Sequence, residues 1–119
     1  MSPSQHRKHR GYESQRIVAR YLEENGFPYA ESAGAGRAGT DITGTPGIDW
    51  EVKARRGLVI AELMKQLNDR AEVGLLGVGV IRPDGSGPST IAQWPAVLCL
   101  ADLVALLRAV GYGLPEDVG

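Results

Sequence analysis

Residues 39–53 read GTDITGTPGIDWEVK, and this stretch decides the fold that we predict. Residues 44–47, GTPG, have the composition of a tight turn, because proline and glycine suit the backbone angles that turns require. We therefore predict two strands on either side of the turn, over residues 41–43 and 48–54, paired as an antiparallel hairpin.

The second strand of this hairpin has one apolar and one polar face, because successive side chains of a strand point to opposite sides. The apolar face holds Ile48, Trp50 and Val52, and the polar face holds Asp49, Glu51 and Lys53. If the turn centres on Pro46, Asp41 lies opposite Glu51, with Cβ atoms about 5 Å apart. A slip of the pairing by one residue would turn Asp41 to the other face.

Two carboxylates that close repel each other unless a cation lies between them. A hard divalent ion with oxygen ligands, Mg²⁺ or alternatively Mn²⁺, would relieve the repulsion between Asp41 and Glu51. Glu13 is a third candidate acid, because it lies four residues before Ile17 on the packed side of a predicted helix. Such a set suits phosphodiester hydrolysis, with Lys53 orienting water or stabilising developing negative charge.

Each of these acids also has a simpler interpretation. Alternating polar and apolar residues are typical of any strand that exposes one face to solvent, so Asp49, Glu51 and Lys53 could form a solvated face without a metal. Glu13 could be an ordinary acid near a helix N-terminus, where the helix dipole favours negative charge.

The other elements follow from apolar periodicity and from turn residues. The pattern predicts helices over 12–25, 60–73 and 100–110, strands over 29–32, 75–81 and 91–98, a glycine-rich loop over 33–40 and a polar loop over 82–89. Pro95 places the last strand at a sheet edge. We expect a flexible basic arm over 1–11, then one α/β domain over 12–119.

Composition excludes several classes of protein. The chain has 119 residues, of which 43% are hydrophobic and 23% charged, as expected for one globular domain. Cys99 is the only cysteine, so an internal disulfide and a cysteine-based zinc or iron–sulfur site are excluded. No stretch is long enough to span a membrane, and the N-terminus lacks a secretory signal, so we expect a cytoplasmic protein.

Positive charge is concentrated at the N-terminal side, although the net charge is only −1. A polyanion would meet this side first, with backbone-directed contacts that carry no sequence information. The candidate DNA-binding residues are Arg7, Lys8, Arg10, Arg16 and Arg20, together with Arg37, Arg55 and Arg56 near the predicted site. A solvated basic tail is the simpler alternative for the N-terminal residues.

These residues resemble the PD-(D/E)xK nuclease superfamily, and within it the archaeal-type Holliday-junction resolvases and their phage relatives. The likeness runs from Gly11 to about Ile81. It consists of a helix glutamate in residues 12–14 (YES), a glycine-rich loop, residues 39–42 (GTDI) and residues 51–53 (EVK). The resemblance implies a restriction-endonuclease-like α-β-β-β-α-β core, with a central mixed sheet flanked by helices, forming a nuclease domain over 12–119.

The resemblance also implies roles for individual residues. Asp41 and Glu51 would bind the metal directly with help from the Val52 carbonyl, Glu13 would act through a metal-bound water, and Lys53 would be the catalytic lysine. Gln66 on the next helix and Ser32 near the loop are the candidate accessory residues. Thr40 departs from the family pattern, which has proline before the aspartate.

Resolvases of this kind act as twofold dimers, because a four-way junction needs two symmetric cuts. The apolar run 75–81 and the last helix (Leu103, Leu106, Leu107, Val110) offer an interface, or else ordinary core. Two alternatives stay open: a nicking, restriction-like or RecB-like nuclease with the same site, and an inactive DNA-binding or assembly protein on the same scaffold. A resolvase would be nucleoid-associated, or in the host cytoplasm if phage-encoded.

Overall fold

The computed structural model describes residues 3–34, 39–54 and 60–113, with side chains from Arg10 onward. The elements are α1 (Pro3–Glu24), β1 (Glu31–Ser32), β2 (Ile42–Thr43), β3 (Ile48–Lys53), α2 (Ile60–Asp69), β4 (Leu76–Ile81), a 3-10 helix (Pro88–Gln93), β5 (Ala96–Val97) and α3 (Leu100–Ala109). The chain forms a small α/β fold with a mixed three-stranded sheet, and its elements follow one another in the predicted order.

The three-stranded sheet has the order β3-β4-β5, with β4 parallel to β3 and antiparallel to β5. Glu51 is the register partner of Gly79, and Asp49 is the partner of Gly77. The run predicted as a strand over 75–81 is therefore the central strand. Its middle residues, Val78 to Val80, are buried, so this run is core and does not form a free interface.

The predicted hairpin between residues 41–43 and 48–54 is wrong in its pairing. β2 pairs instead with β1 as a separate antiparallel ribbon, in which Ser32 is opposite Ile42. Gly44 explains the difference: it has a φ of 82°, and a Cβ there would overlap the Tyr29 carbonyl. The absence of a side chain at Gly44 lets the chain after β2 lie against the segment before β1.

The apolar face of β3 packs against α1, as the alternation predicted. Buried residues from α1, the segment before β1, β2, β3, β4 and the segment after the 3-10 helix form one core: Val18, Ala19, Leu22, Ala30, Ile42, Trp50, Val52, Val78, Val80 and Trp94. The indole N–H of Trp50 donates to the Thr45 hydroxyl at 2.9 Å, so the polar edge of this ring is satisfied inside the core.

The polar face of β3 is covered by α2, which buries Leu63 and Leu67. These two leucines lie over Gly79 and Gly77, because the two glycines of β4 leave space for α2 to approach the sheet. Asp49 and Glu51 are only 6% and 7% exposed as a result. The interpretation of this face as a solvated strand surface is therefore wrong for these two acids.

Three predicted boundaries also differ. α1 begins at Pro3 and not at residue 12, so residues 3–11 of the predicted arm are helical; their glutamine, lysine and arginine favour helix without an apolar period. α2 ends at Asp69 and a turn ending at Gly74 follows. Residues 91–98 contain the end of a 3-10 helix and a two-residue strand, because Pro95 interrupts the run.

α3 buries none of its residues, although it is mostly apolar. Its exposed side chains include Leu103, Val104, Leu106 and Leu107. Across the described parts of the chain, no helix has the length and apolar character needed to cross a membrane.

The contacts of the β4 glycines predict different costs for two matched substitutions. A Cβ on Gly79 would lie 2.7 Å from Leu63 and 2.8 Å from Val97, whereas one on Gly77 would meet Leu67 at an ordinary 3.5 Å. We expect Gly79→Ala to lower the free energy of unfolding by about 1–3 kcal/mol, and Gly77→Ala to change it little. Urea denaturation followed by circular dichroism measures both, and equal losses would contradict the close packing of α2 on Gly79.

Candidate functional site

Glu51 lies at the centre of the polar face of β3 and contacts two cations. Its Oε1 is 3.0 Å from the Lys53 ammonium, and its Oε2 is 2.8 Å from Nη1 of Arg70. The contact with Lys53 confirms that residues one strand period apart address the same volume. Because Glu51 is buried, both ion pairs compensate a charge that would be costly if unpaired.

Asp41 is brought to β3 by its side chain and not by a strand ladder. Its Oδ2 accepts a hydrogen bond from the Val52 backbone N–H at 2.7 Å, and its own N–H donates to the Trp50 carbonyl at 2.9 Å. The pKa of Asp41 is raised from 3.8 to about 6, chiefly by burial and also by the neighbouring charge of Glu51, while the Val52 hydrogen bond, Arg70 and Lys53 oppose the rise. Glu51 thus acts on Asp41 as a like charge, although the hairpin that was predicted to bring the two acids together is absent.

Thr40 makes the contacts that replace a hairpin ladder. Its hydroxyl accepts the Trp50 backbone N–H at 2.9 Å and donates to the Ile42 carbonyl at 2.9 Å. This hydroxyl joins the start of β2 to the middle of β3 and so fixes the position of Asp41 between them. Thr40 thus has a structural role that proline could not supply.

Arg70 is the residue that the sequence analysis missed. Its guanidinium binds both oxygens of Asp49, through Nε at 3.1 Å and Nη2 at 2.9 Å, as well as Glu51. Although burial opposes it, the hydrogen bonds to Asp49 and Glu51 raise the pKa of Arg70 above its usual value. The signal was its spacing from Leu63 and Leu67, which places Arg70 on the helix face that covers the acids.

Gln66 lies on the same face of α2, four residues before Arg70. Its Oε1 is buried and has no hydrogen-bond donor among the described residues. A buried acceptor without a partner is costly. The accessory role of Gln66 stays a prediction.

Glu13 lies apart from the other acids. Its Oε1 is 3.4 Å from Nη2 of Arg82, and its side chain is 49% exposed. The Arg82 backbone N–H in turn donates to the Lys53 carbonyl at 2.8 Å, which places Glu13 near the end of β3. Among the described residues no three acidic, histidine or cysteine side chains converge as a metal site, so the structure does not group Glu13 with Asp41 and Glu51.

Ser32 is also separate from the acids in its contacts. Its hydroxyl donates to the Gln15 side-chain oxygen at 3.2 Å, between β1 and α1. The same groove between α1 and β1 is lined by Arg16 and Arg20. Glu23 and Glu31 line it as well, so Ser32 lies in a groove of mixed charge.

The candidate DNA-binding residues on α1 are partly engaged with neighbours. Arg10 lies 3.5 Å from Asp84, Arg16 stacks 4.4 Å from the centre of the Tyr12 ring, and Arg20 forms an exposed ion pair with Glu24. Exposed pairs of this last kind are weak and readily exchanged for another anion. The side chains of Arg7, Lys8, Arg37, Arg55 and Arg56 lie outside the described residues.

The donors around Glu51 fit a hard divalent cation in part. Asp41 and Glu51 would supply carboxylate oxygens, which are ligands that Mg²⁺ and Mn²⁺ take in proteins, but no third acidic, histidine or cysteine side chain of the described residues joins them. Lys53 and Arg70 each contact one oxygen of Glu51. A metal bound to Glu51 would therefore share or displace these contacts.

The raised pKa of Asp41 predicts how stability depends on pH without metal. Because the folded-state pKa of about 6 exceeds the ordinary 3.8, the folded protein binds this proton more tightly, and stability falls as pH rises between those values. Asp41→Asn keeps an acceptor for the Val52 N–H and removes the charge. We expect it to stabilise the metal-free protein at pH 8 by about 1 kcal/mol and to flatten this pH dependence.

Thermal unfolding from pH 4 to pH 8 with a chelator measures this difference. Asp69→Asn, an exposed acid on α2, is the matched control and should shift the midpoint little. A destabilised Asp41→Asn protein at pH 8 would show that the Asp41 charge is already compensated without metal.

Comparisons of the chain with protein-family models, with curated proteins and with solved structures found no match. Function is therefore inferred from the residues themselves, and above all from the pair formed by Asp41 and Glu51.

Proposed function

We propose that this protein is a metal-dependent DNA endonuclease that cuts branched DNA, in the manner of a Holliday-junction resolvase. One observation carries the proposal: the Asp41 carboxylate is held on the Val52 N–H beside the buried Glu51, which contacts the Lys53 ammonium as well as Arg70. Two neighbouring acids, Asp41 before β2 and Glu51 on β3, together with a lysine on β3, suit metal-assisted hydrolysis of a phosphodiester.

Asp41 and Glu51 are the residues that would hold Mg²⁺ or Mn²⁺, with the Gln66 amide oxygen and the Val52 carbonyl as further donors. A divalent cation supplies Lewis-acid activation of the phosphate and of water when it is bound. Lys53 holds a positive charge 3.0 Å from Glu51, where it can orient water or stabilise the developing negative charge of the phosphate. Leu63 and Leu67 on α2 exclude bulk water from behind the acids.

Basic residues of α1 give this protein a surface for the DNA backbone. Arg16 and Arg20 are exposed and line one groove beside β1, and the helix continues toward Arg7 and Lys8. Contacts from arginine and lysine to phosphates give affinity without reading base sequence. Recognition by shape, as in a four-way junction, is the mode that such a surface favours.

A second copy of the same chain is the partner that α3 fits. The helix has apolar residues around its surface and buries none of them. If two copies of α3 pack antiparallel about a twofold axis at Ala105, Asp102 of each copy lies level with Arg108 of the other, so charges as well as apolar side chains match. An interface with this symmetry would place two identical active sites for paired cuts.

Arg70 favours a second candidate, a DNA-binding or assembly protein that uses no metal. Its guanidinium already neutralises Asp49 and Glu51, which is the task that a metal would otherwise perform. A nicking or RecB-like nuclease would share the proposed site and differ in substrate alone, so the choice of DNA in the assay separates these alternatives.

Cleavage of a synthetic four-way junction tests the proposal, with matched linear duplex and single strand as other substrates and Mg²⁺ or Mn²⁺ present. We expect paired symmetric cuts on the junction, and a loss of about 100-fold or more in rate for Glu51→Gln and for Lys53→Gln. Glu72→Gln and Lys65→Gln, exposed residues of the same types, should cut normally.

A Leu107→Glu protein tests the twofold part of the proposal, with the fully exposed Val73→Glu as its control. We expect the Leu107 variant to become monomeric in sedimentation and to lose paired cutting. Cleavage of linear DNA as well would support the proposed active site but indicate a general nuclease instead of a resolvase. Junction binding without cleavage would overturn the nuclease proposal in favour of the metal-free candidate.

A further inference from the structure

Arg70 divides its hydrogen bonds unequally between two buried acids. Nε and Nη2 bind the two oxygens of Asp49 as a fork, whereas Glu51 receives a single bond from Nη1 at 2.8 Å. Nη2 also donates to the Trp50 carbonyl at 3.3 Å. The fork on Asp49 is the stronger and more directional attachment, because paired parallel bonds fix both position and orientation of the guanidinium.

Asp49 takes no part in the proposed metal set, although it is buried on the same strand face as Glu51. Its partner among the ion pairs of the described residues is Arg70. Loss of the bond to Glu51 would therefore leave Arg70 attached through Asp49, with no buried carboxylate at that end of the face left unpaired. Asp49 serves as the anchor, and Glu51 is the contact that can be exchanged.

The position of Arg70 in the chain permits this exchange. It directly follows Asp69, the last residue of α2, where the backbone continues into a turn. The end of a helix carries partial negative charge from its free carbonyls, which favours a cation there whether or not the cation contacts Glu51. The Arg70 side chain is 27% exposed, so the guanidinium has access to solvent as well as to the acids.

We propose that Arg70 is a built-in counter-cation of the metal site, which binds Glu51 while the divalent cation is absent and gives up that contact when the cation binds. This inference rests on the proposed metal site and assigns the residue that competes for it. Arg70 thereby stabilises the metal-free protein and lowers its affinity for metal, because Arg70 and the metal ion compete for the negative charge of Glu51.

Mn²⁺ binding by calorimetry at pH 8, together with thermal unfolding with and without Mn²⁺, tests this role apart from activity. We expect Arg70→Gln to bind Mn²⁺ about tenfold more tightly than the wild type. Its midpoint of unfolding should be lower without metal, and the gain on adding Mn²⁺ should be larger. Lys65→Gln removes an exposed positive charge from the same helix and should match the wild type in both assays.

Asp49→Asn should change the Mn²⁺ affinity in the opposite direction, so it provides a second test if Arg70→Gln folds poorly. Without the charge of Asp49, Glu51 is the one carboxylate left to compensate Arg70, so Mn²⁺ affinity should fall by several-fold. Equal affinity in the wild type, Arg70→Gln and Asp49→Asn would overturn the role of Arg70 and leave the metal site intact. Failure of every protein to bind Mn²⁺ would instead overturn the metal site of the proposed function.

Discussion

Burial of negative charge on β3 is the constraint on which the rest of the structure depends. Asp49 and Glu51 are covered by α2, and α2 lies that close because Gly77 and Gly79 present no side chains beneath Leu67 and Leu63. Two ionised carboxylates in such a place require positive charge. Lys53 on the same strand and Arg70 at the end of α2 supply this positive charge. The packing of α2 therefore both buries the two acids and brings one of their compensating cations to them.

The second acid of the proposed site is placed by hydrogen bonds that β pairing does not provide. Thr40 binds β3 through its hydroxyl, and Asp41 then accepts the Val52 N–H. This position disfavours the charged form of Asp41, because burial and the neighbouring Glu51 raise its pKa. A buried carboxylate whose pKa is raised by burial and by a neighbouring acid is a candidate for a functional site.

Local rules predicted the parts of the fold that depend on local sequence. The alternation of polar and apolar residues over 48–53 predicted both faces of β3 and the contact between Glu51 and Lys53, because strand periodicity needs no tertiary information. The pairing of β2 with β1 was not predictable in this way, since it depends on Gly44 lying against Tyr29 across the fold. Arg70 was missed because its partners lie 19 and 21 residues away.

We propose that Asp41 and Glu51 share one divalent cation. Anomalous diffraction from crystals containing Mn²⁺ locates such an ion directly. We expect one peak about 2.2 Å from a carboxylate oxygen of each residue, with the Arg70 guanidinium withdrawn from Glu51 and still on Asp49. A structure with Mn²⁺ at saturating concentration, no peak between the two acids and Arg70 still bound to Glu51 would contradict it.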